Sequence, residues 1–136
     1  MPKPKTPLQL TRLELQIMKV LWEVGPSTVQ AVQEKLPGEH LAYTTVQTML
    51  NILQRKGKVK RKLRGKAYEY RAVLSRDRAL REAAADVLDR MFGGSVEALL
   101  MSLVKIRQLD ADKLARVQQL IDQHEQRDAE DEHERD

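Results

Sequence analysis

The 136-residue chain contains no cysteine. Disulfides, thiolate metal sites and cysteine nucleophiles are excluded at once. Aromatic residues make up 4% of the sequence, with a single Trp and a single Phe. That rules out a large aromatic core and the extended base-stacking surface of a single-strand binder. No apolar run approaches the roughly 20 residues that a bilayer-crossing helix needs. The opening MPKPKTPLQL is basic but lacks an apolar stretch of signal-peptide length. A cytoplasmic location without direct membrane binding is therefore expected. P-loop, nucleophile-elbow, HExxH and Gly-rich dinucleotide motifs are also missing. His40, His124 and His133 lie too far apart in sequence to form a ligand spacing. No enzymatic activity, metal or cofactor is expected.

What is present is a strong asymmetry of charge. Residues 1–74 hold 14 Lys+Arg against 5 Asp+Glu, whereas residues 75–136 hold 10 against 15. The first half is suited to a polyanion and the second is not.

The patterning divides in the same place. Residues 1–9 have no periodicity and read as a flexible arm. Thr11 with Glu14 forms a capping-box signature, followed by Leu13, Ile17, Val20, Leu21 and Val24 at helical spacing with Trp22 beside them. Ser27 with Gln30 predicts the start of a second helix, which carries Val29, Val32 and Leu36 and stops at Pro37-Gly38. A third helix is expected over about 44–56, ending at Gly57. The period then falls to two. Val59 and Leu63 alternate with Lys60 and Lys62; beyond RGK, Tyr68, Tyr70 and Ala72 alternate with Glu69 and Arg71. That predicts a β-hairpin.

From Ser75 onward the spacing is helical throughout. Leu80, Ala84, Val87, Leu88 and Met91 form one stripe, stopped by Gly93-Gly94. Val96, Leu99, Leu100, Leu103 and Val104 form a second, behind Ser95 as its cap. Leu114, Val117, Leu120 and Ile121 form a third, begun at Asp110 or Asp112. Met91 and Met101 read as core filler within these stripes. The three short helices have too little interior of their own to bury their apolar rows, and a second copy of the chain would supply it. The EQRDAEDEHERD segment is charged and reads as a frayed helix end or a disordered tail. The expected fold is thus mainly α with a small β-hairpin. It comprises an arm (1–9), a three-helix-plus-hairpin domain (10–74), a three-helix dimerisation domain (75–124) and a tail (125–136).

Two faces carry the functional reading. On the third helix, Val46, Met49, Leu50 and Leu53 fall within about 100° of arc, the width of a core-facing stripe. Thr44, Thr48, Asn51 and Arg55 lie opposite, flanked by Thr45 and Gln47. This outer face is short, hydrogen-bonding and free of acid, which suits a DNA major groove. From Arg55 to Lys66, eight of twelve residues are basic and none is acidic. Arg61, Arg64 and Lys66 fall near the hairpin tip, where a wing would reach the phosphate backbone or the minor groove. A polar helix face alone is ordinarily solvated surface, and so is a basic run. The order of three helices with the polar one third, followed by a basic hairpin, is what describes a winged helix-turn-helix. The rival reading is a protein-interaction module on the same scaffold, without specific DNA binding. A nuclease is opposed by the lack of clustered acids near the basic run.

The stretches LTRLELQIMKVLWEVGPSTVQAVQEKL (10–36) and YTTVQTMLNILQRKGKVKRKLRGKAYEYRAVLS (43–75) resemble the penicillinase repressor family, the BlaI/MecI type of bacterial winged-helix repressor. The runs Glu14 to Trp22 and Thr45 to Gly57 carry most of that resemblance, which extends over about residues 8 to 124. It implies a homodimer on a pseudo-palindromic double-stranded operator, blocking transcription. It implies dimerisation through the C-terminal helices, with Leu80, Val87, Met91, Leu99, Leu100, Leu103, Leu114, Val117 and Ile121 as candidates. It implies base-edge contacts from Thr45 and Thr48, and phosphate contacts from Thr44, Arg61 and Arg64. In antibiotic-responsive members a membrane sensor protease system triggers cleavage at an Asn-Phe bond. The corresponding position here is Ser102-Leu103, so the Asn-Phe pair is absent. The copper-responsive branch uses a C-terminal cysteine cluster, which this chain lacks.

Overall fold

The structure, a computed structural model, describes residues 10–38 and 40–135. The expected N-terminal arm lies outside the described residues. The elements are α1 (Arg12–Val24), β1 (Ser27–Thr28), α2 (Val29–Lys35), α3 (Tyr43–Arg55), β2 (Val59–Arg64), β3 (Ala67–Ala72), α4 (Arg76–Phe92), α5 (Val96–Lys105) and α6 (Ala111–Arg135). The chain forms two compact units, divided between Asp86 and Val87, inside α4. The boundary expected at residue 75 marks only the start of that helix.

In the first unit α1 and α2 are begun by side-chain caps. Thr11 Oγ1 accepts the Glu14 amide at 3.2 Å, and the Glu14 carboxylate accepts the Thr11 amide at 2.9 Å. This capping box satisfies two amides that would otherwise lack partners at the start of α1. The second helix departs from expectation. Its cap is Thr28, whose hydroxyl accepts from the Ala31 amide. Ser27 is not the cap, because Ser27 and Thr28 form a short third strand, and the Ser27 hydroxyl donates to the Gly25 carbonyl at 2.9 Å. The sheet is antiparallel with order β1-β3-β2, so β3 is the central strand of three and not half of an isolated hairpin.

α3 ends in a Schellman motif. The Lys58 amide reaches the Leu53 carbonyl at 2.9 Å and the Gly57 amide reaches Gln54 at 3.0 Å, with Gly57 at φ 77°. This turn aims the chain directly into β2. The hairpin closes through the two-residue turn Gly65-Lys66, with Arg64 paired to Ala67 and Gly65 at φ 64°. Glycine at the first position is what a type II′ hairpin turn requires.

The core of this unit is built from Ile17, Met18, Val20 and Leu21 of α1, Val29 and Val32 of α2, and Val46, Leu50 and Leu53 of α3. Val59, Tyr70 and Leu74 complete it from the sheet side. Val24, expected inward, is 52% exposed, since it is the last residue of α1 before the Gly25 turn. Trp22 is half-buried, and its indole donates to the Leu74 carbonyl at 2.8 Å. That bond ties the end of α1 to the segment leaving the sheet.

The second unit, taken by itself, is helical. Ser95 caps α5 through the Ala98 amide, and Asp110 caps α6 through the Lys113 amide. α5 ends in the same hydrogen-bond pattern as α3, but Arg107 occupies the left-handed position at φ 62°. Of the two alternatives for the C-terminal segment, helix end or disordered tail, the structure has the helix: α6 continues as far as Arg135. Glu, Gln, Arg and Ala are good helix formers, and a Gln118–Asp122 hydrogen bond and a His124–Asp128 contact bridge successive turns. Among the described residues, none after Leu74 is buried. Leu80, Met91, Met101, Leu114, Val117, Leu120 and Ile121 are all exposed, Met91 by 73%. Met91 and Met101, expected as core filler, are thus uncovered within one chain.

Candidate nucleic-acid interface

The third helix sorts its side chains as a 100° rotation per residue requires. Val46, Leu50 and Leu53 are buried, and Thr44, Thr45, Gln47, Thr48 and Arg55 are exposed. Ala42 precedes the helix and offers no side-chain cap. The exposed face therefore begins at an uncapped helix start and becomes cationic at Arg55. Asn51 differs from the other residues predicted for this face. It is half-buried, and its Oδ1 accepts from the Tyr70 hydroxyl at 3.0 Å. Its side-chain carbonyl is already engaged in holding α3 against β3.

The basic run is less uniform than its sequence suggests. Lys56 turns inward, where its ammonium lies 2.8 Å and 3.0 Å from the two oxygens of Glu14. Burial alone would raise the Glu14 carboxyl, but Lys56 and the hydrogen bonds with Thr11 outweigh it and hold the group below its usual range. The pair joins α1 to the final turn of α3. Lys58 is 8% exposed, and its carbonyl accepts from the Val73 and Leu74 amides. These two cations belong to the scaffold.

The remaining cations lie on the wing. Cross-strand pairing places Lys60 opposite Arg71, Lys62 opposite Glu69 and Arg64 opposite Ala67 on one face. Arg61 opposite Tyr70 and Leu63 opposite Tyr68 share the other. Arg61, Arg64 and Lys66 are exposed, together with Lys60 and Lys62. Arg64 lies 3.7 Å from Glu69, with both groups partly in solvent. The Arg61 guanidinium stacks 4.2 Å from the centre of the Tyr68 ring, a cation–π contact that orders its side chain. Tyr68 and Leu63 are 42% and 57% exposed, so the wing tip presents a small apolar surface beside Arg61.

Tyr68, Glu69, Lys60 and Lys62 join this surface; the period-two alternation places them on the hairpin but does not show which of them pair across it. The signal that could find them is the two-residue turn Gly65-Lys66, which sets the register that pairs them. The described residues include no group of three or more His, Asp or Glu able to hold a metal ion. No helix among them is long and apolar enough to cross a membrane.

Three helices with the polar one third, leading into a basic two-stranded wing, make a winged helix-turn-helix, the architecture of DNA-binding transcription regulators. The profile of the penicillinase repressor family matches residues 10–123, and the chain belongs to that family. It is 23% identical over 120 residues to the penicillinase repressor of Bacillus licheniformis, covering 88% of this chain and 94% of that one. It is also 22% identical over 114 residues to an uncharacterized 16.5 kDa protein of Latilactobacillus sakei, covering 83% and 78%. Among solved structures, a MarR family protein from Bacillus stearothermophilus aligns at 18% identity with a TM-score of 0.44, over 81% of this chain and 76% of that chain.

Proposed function

We propose that this protein represses transcription by binding, as a homodimer, to a pseudo-palindromic duplex operator. The observation that carries the reading is the acid-free exposed face of α3 leading into the exposed cations of the wing, with the Tyr70–Asn51 bond bracing helix against strand. In this reading α3 enters the major groove. Thr45 and Thr48 meet base edges, with their methyl groups available to thymine, and Gln47 reads beside them. Thr44 and the uncapped start of α3 face one phosphate. Arg55, Arg61, Arg64 and Lys66 neutralise others along the backbone.

The dimer is supported by the uncovered apolar rows of α4, α5 and α6. Leu80, Val87, Met91, Leu114, Val117 and Ile121 are exposed there, and Leu99, Leu100 and Leu103 are half-buried. A partner chain of the same kind would remove them from water. Derepression by a cut at Ser102-Leu103, under a membrane sensor protease system, carries a physical condition. That bond lies within α5, and the Ser102 carbonyl accepts from the Ile106 amide at 3.1 Å. A protease that binds extended backbone would need the last turns of α5 to open first.

The test contrasts two substitutions in a titration against operator and scrambled duplexes. Arg64→Ala should weaken both and flatten the dependence of log K on log salt by about 0.9 for each phosphate no longer neutralised. Thr48→Ala should weaken only the operator, by about 1–3 kcal/mol. Operator affinity unchanged by both would refute the assignment.

A further inference from the structure

We propose that a groove on the first unit, between the end of α1 and the connection from β3 to α4, is a binding site for a small organic anion with an apolar body. The groove has a volume of about 850 Å³, within the ~300–1,000 Å³ typical of small-molecule sites. Its floor is apolar, with Leu21 and Leu74 buried and the half-buried Trp22 indole along one side. The indole does not move freely, because its Nε1 is held by the Leu74 carbonyl at 2.8 Å. A flat, anchored aromatic surface is a good partner for an apolar or aromatic ring.

The rim determines the charge of the occupant. Lys19, Arg71 and Arg76 line the groove, against Glu23 as the single acid. All four are exposed, and among the described residues none of the four forms an ion pair or side-chain hydrogen bond. Three cations without carboxylate partners around an apolar floor favour a ligand that joins a carboxylate, sulfonate or similar group to a ring or branched chain. None of the residues assigned to the DNA-binding surface lines this groove, so the site is separate from that reading. Arg71 belongs to β3 and Arg76 begins α4. An anion held by both would brace the central strand of the wing sheet against the first turn of α4, which is where an effector would act.

The chain has a single Trp, and it lines this groove. Intrinsic fluorescence therefore reports on the site directly, without DNA. The probe is 8-anilinonaphthalene-1-sulfonate, compared with the uncharged N-phenyl-1-naphthylamine. The sulfonate should quench Trp22 emission saturably. The double substitution Arg71→Glu/Arg76→Glu should weaken that quenching by about tenfold or more, as expected for removing one or two charge-assisted hydrogen bonds. The neutral probe should bind more weakly and be insensitive to the substitution. Lys19→Glu, on the exposed face of α1, provides a second variant should the double one fail to fold. Absence of quenching, quenching unaffected by charge reversal in a folded variant, or equal binding of the neutral probe would overturn the proposal.

Discussion

The Tyr70 hydroxyl donates to the Asn51 side chain at 3.0 Å, joining the central strand of the wing sheet to the helix proposed to read DNA. The Tyr70 residue is 1% exposed, so the core delivers its hydroxyl to the edge of a polar face. Tyr70→Phe removes the bond and leaves the packing. It should lower stability by about 1 kcal/mol, the usual net value of such a bond, as read from urea unfolding. It should also lower operator affinity more than affinity for random duplexes, since base and backbone contacts would no longer be held in register.

The Glu14–Lys56 pair predicts a pH dependence with a definite sign. The Glu14 carboxyl is held below its ordinary value in the folded state. Its contribution is therefore fully present above the unfolded value of about 4.3 and is lost as pH falls through the lower folded value. Glu14→Gln should remove this part of acid destabilisation. Lys56→Met should cost about 1–3 kcal/mol, because the buried carboxylate loses its ammonium partner but keeps the Thr11 hydrogen bonds. In that variant burial opposes the Glu14 charge without the ammonium to offset it, so the carboxyl should rise and its pH dependence weaken or reverse. Stability curves from pH 3 to 7 for the three proteins would decide both points.

Arg107 adopts φ 62° after α5, where the Gln108 amide bonds the Leu103 carbonyl at 2.9 Å. A Cβ is unfavourable in this conformation. Arg107→Gly should preserve the turn and raise stability by about 0.5–1 kcal/mol, after allowing for the greater freedom of glycine in the unfolded chain. Thermal unfolding at fixed protein concentration would measure it.

Val117 and Ile121 lie one turn apart on α6, 41% and 43% exposed. If they form part of a dimer seam, the pair Val117→Asp/Ile121→Asp should yield a monomer in sedimentation equilibrium. Binding to a half-site should survive, while binding to the full inverted repeat should lose its advantage. A variant that remains dimeric would remove these residues from the interface.

On the wing, Glu69 is the acid beside the cations, 3.7 Å from Arg64 and opposite Lys62. Glu69→Gln should strengthen binding to all duplexes and steepen the salt dependence. A fall in affinity would show that Glu69 orients Arg64 more than it neutralises it.

What is legible in the sequence is local. The capping box of Thr11 and Glu14, the buried row of Val46, Leu50 and Leu53, and the exposed threonines of α3 follow from spacings of three and four residues. The contacts that brace the site do not. Glu14 and Lys56 are 42 residues apart, and Tyr70 and Asn51 are 19 apart. Each of these residues has a sufficient local explanation, as a capping acid, a basic-run member, a strand aromatic and a polar-face amide. Only the fold reveals that they meet. β1 is hidden because two residues carry no period, and Ser27-Thr28 reads equally well as a helix cap. The length of α6 is ambiguous in the sequence because a highly charged segment whose one apolar residue is Ala129 fits a helix end and a disordered tail equally well.

Recognition of one duplex sequence by α3 and the wing, through a two-fold dimer, is open to a direct test. Genome fragments would be selected by the purified protein at two salt concentrations and read by sequencing. A single inverted repeat should be enriched, should persist at the higher salt and should be lost with Thr48→Ala. Uniform recovery that vanishes with salt would contradict specific recognition, leaving only non-specific attraction between the basic wing and phosphates.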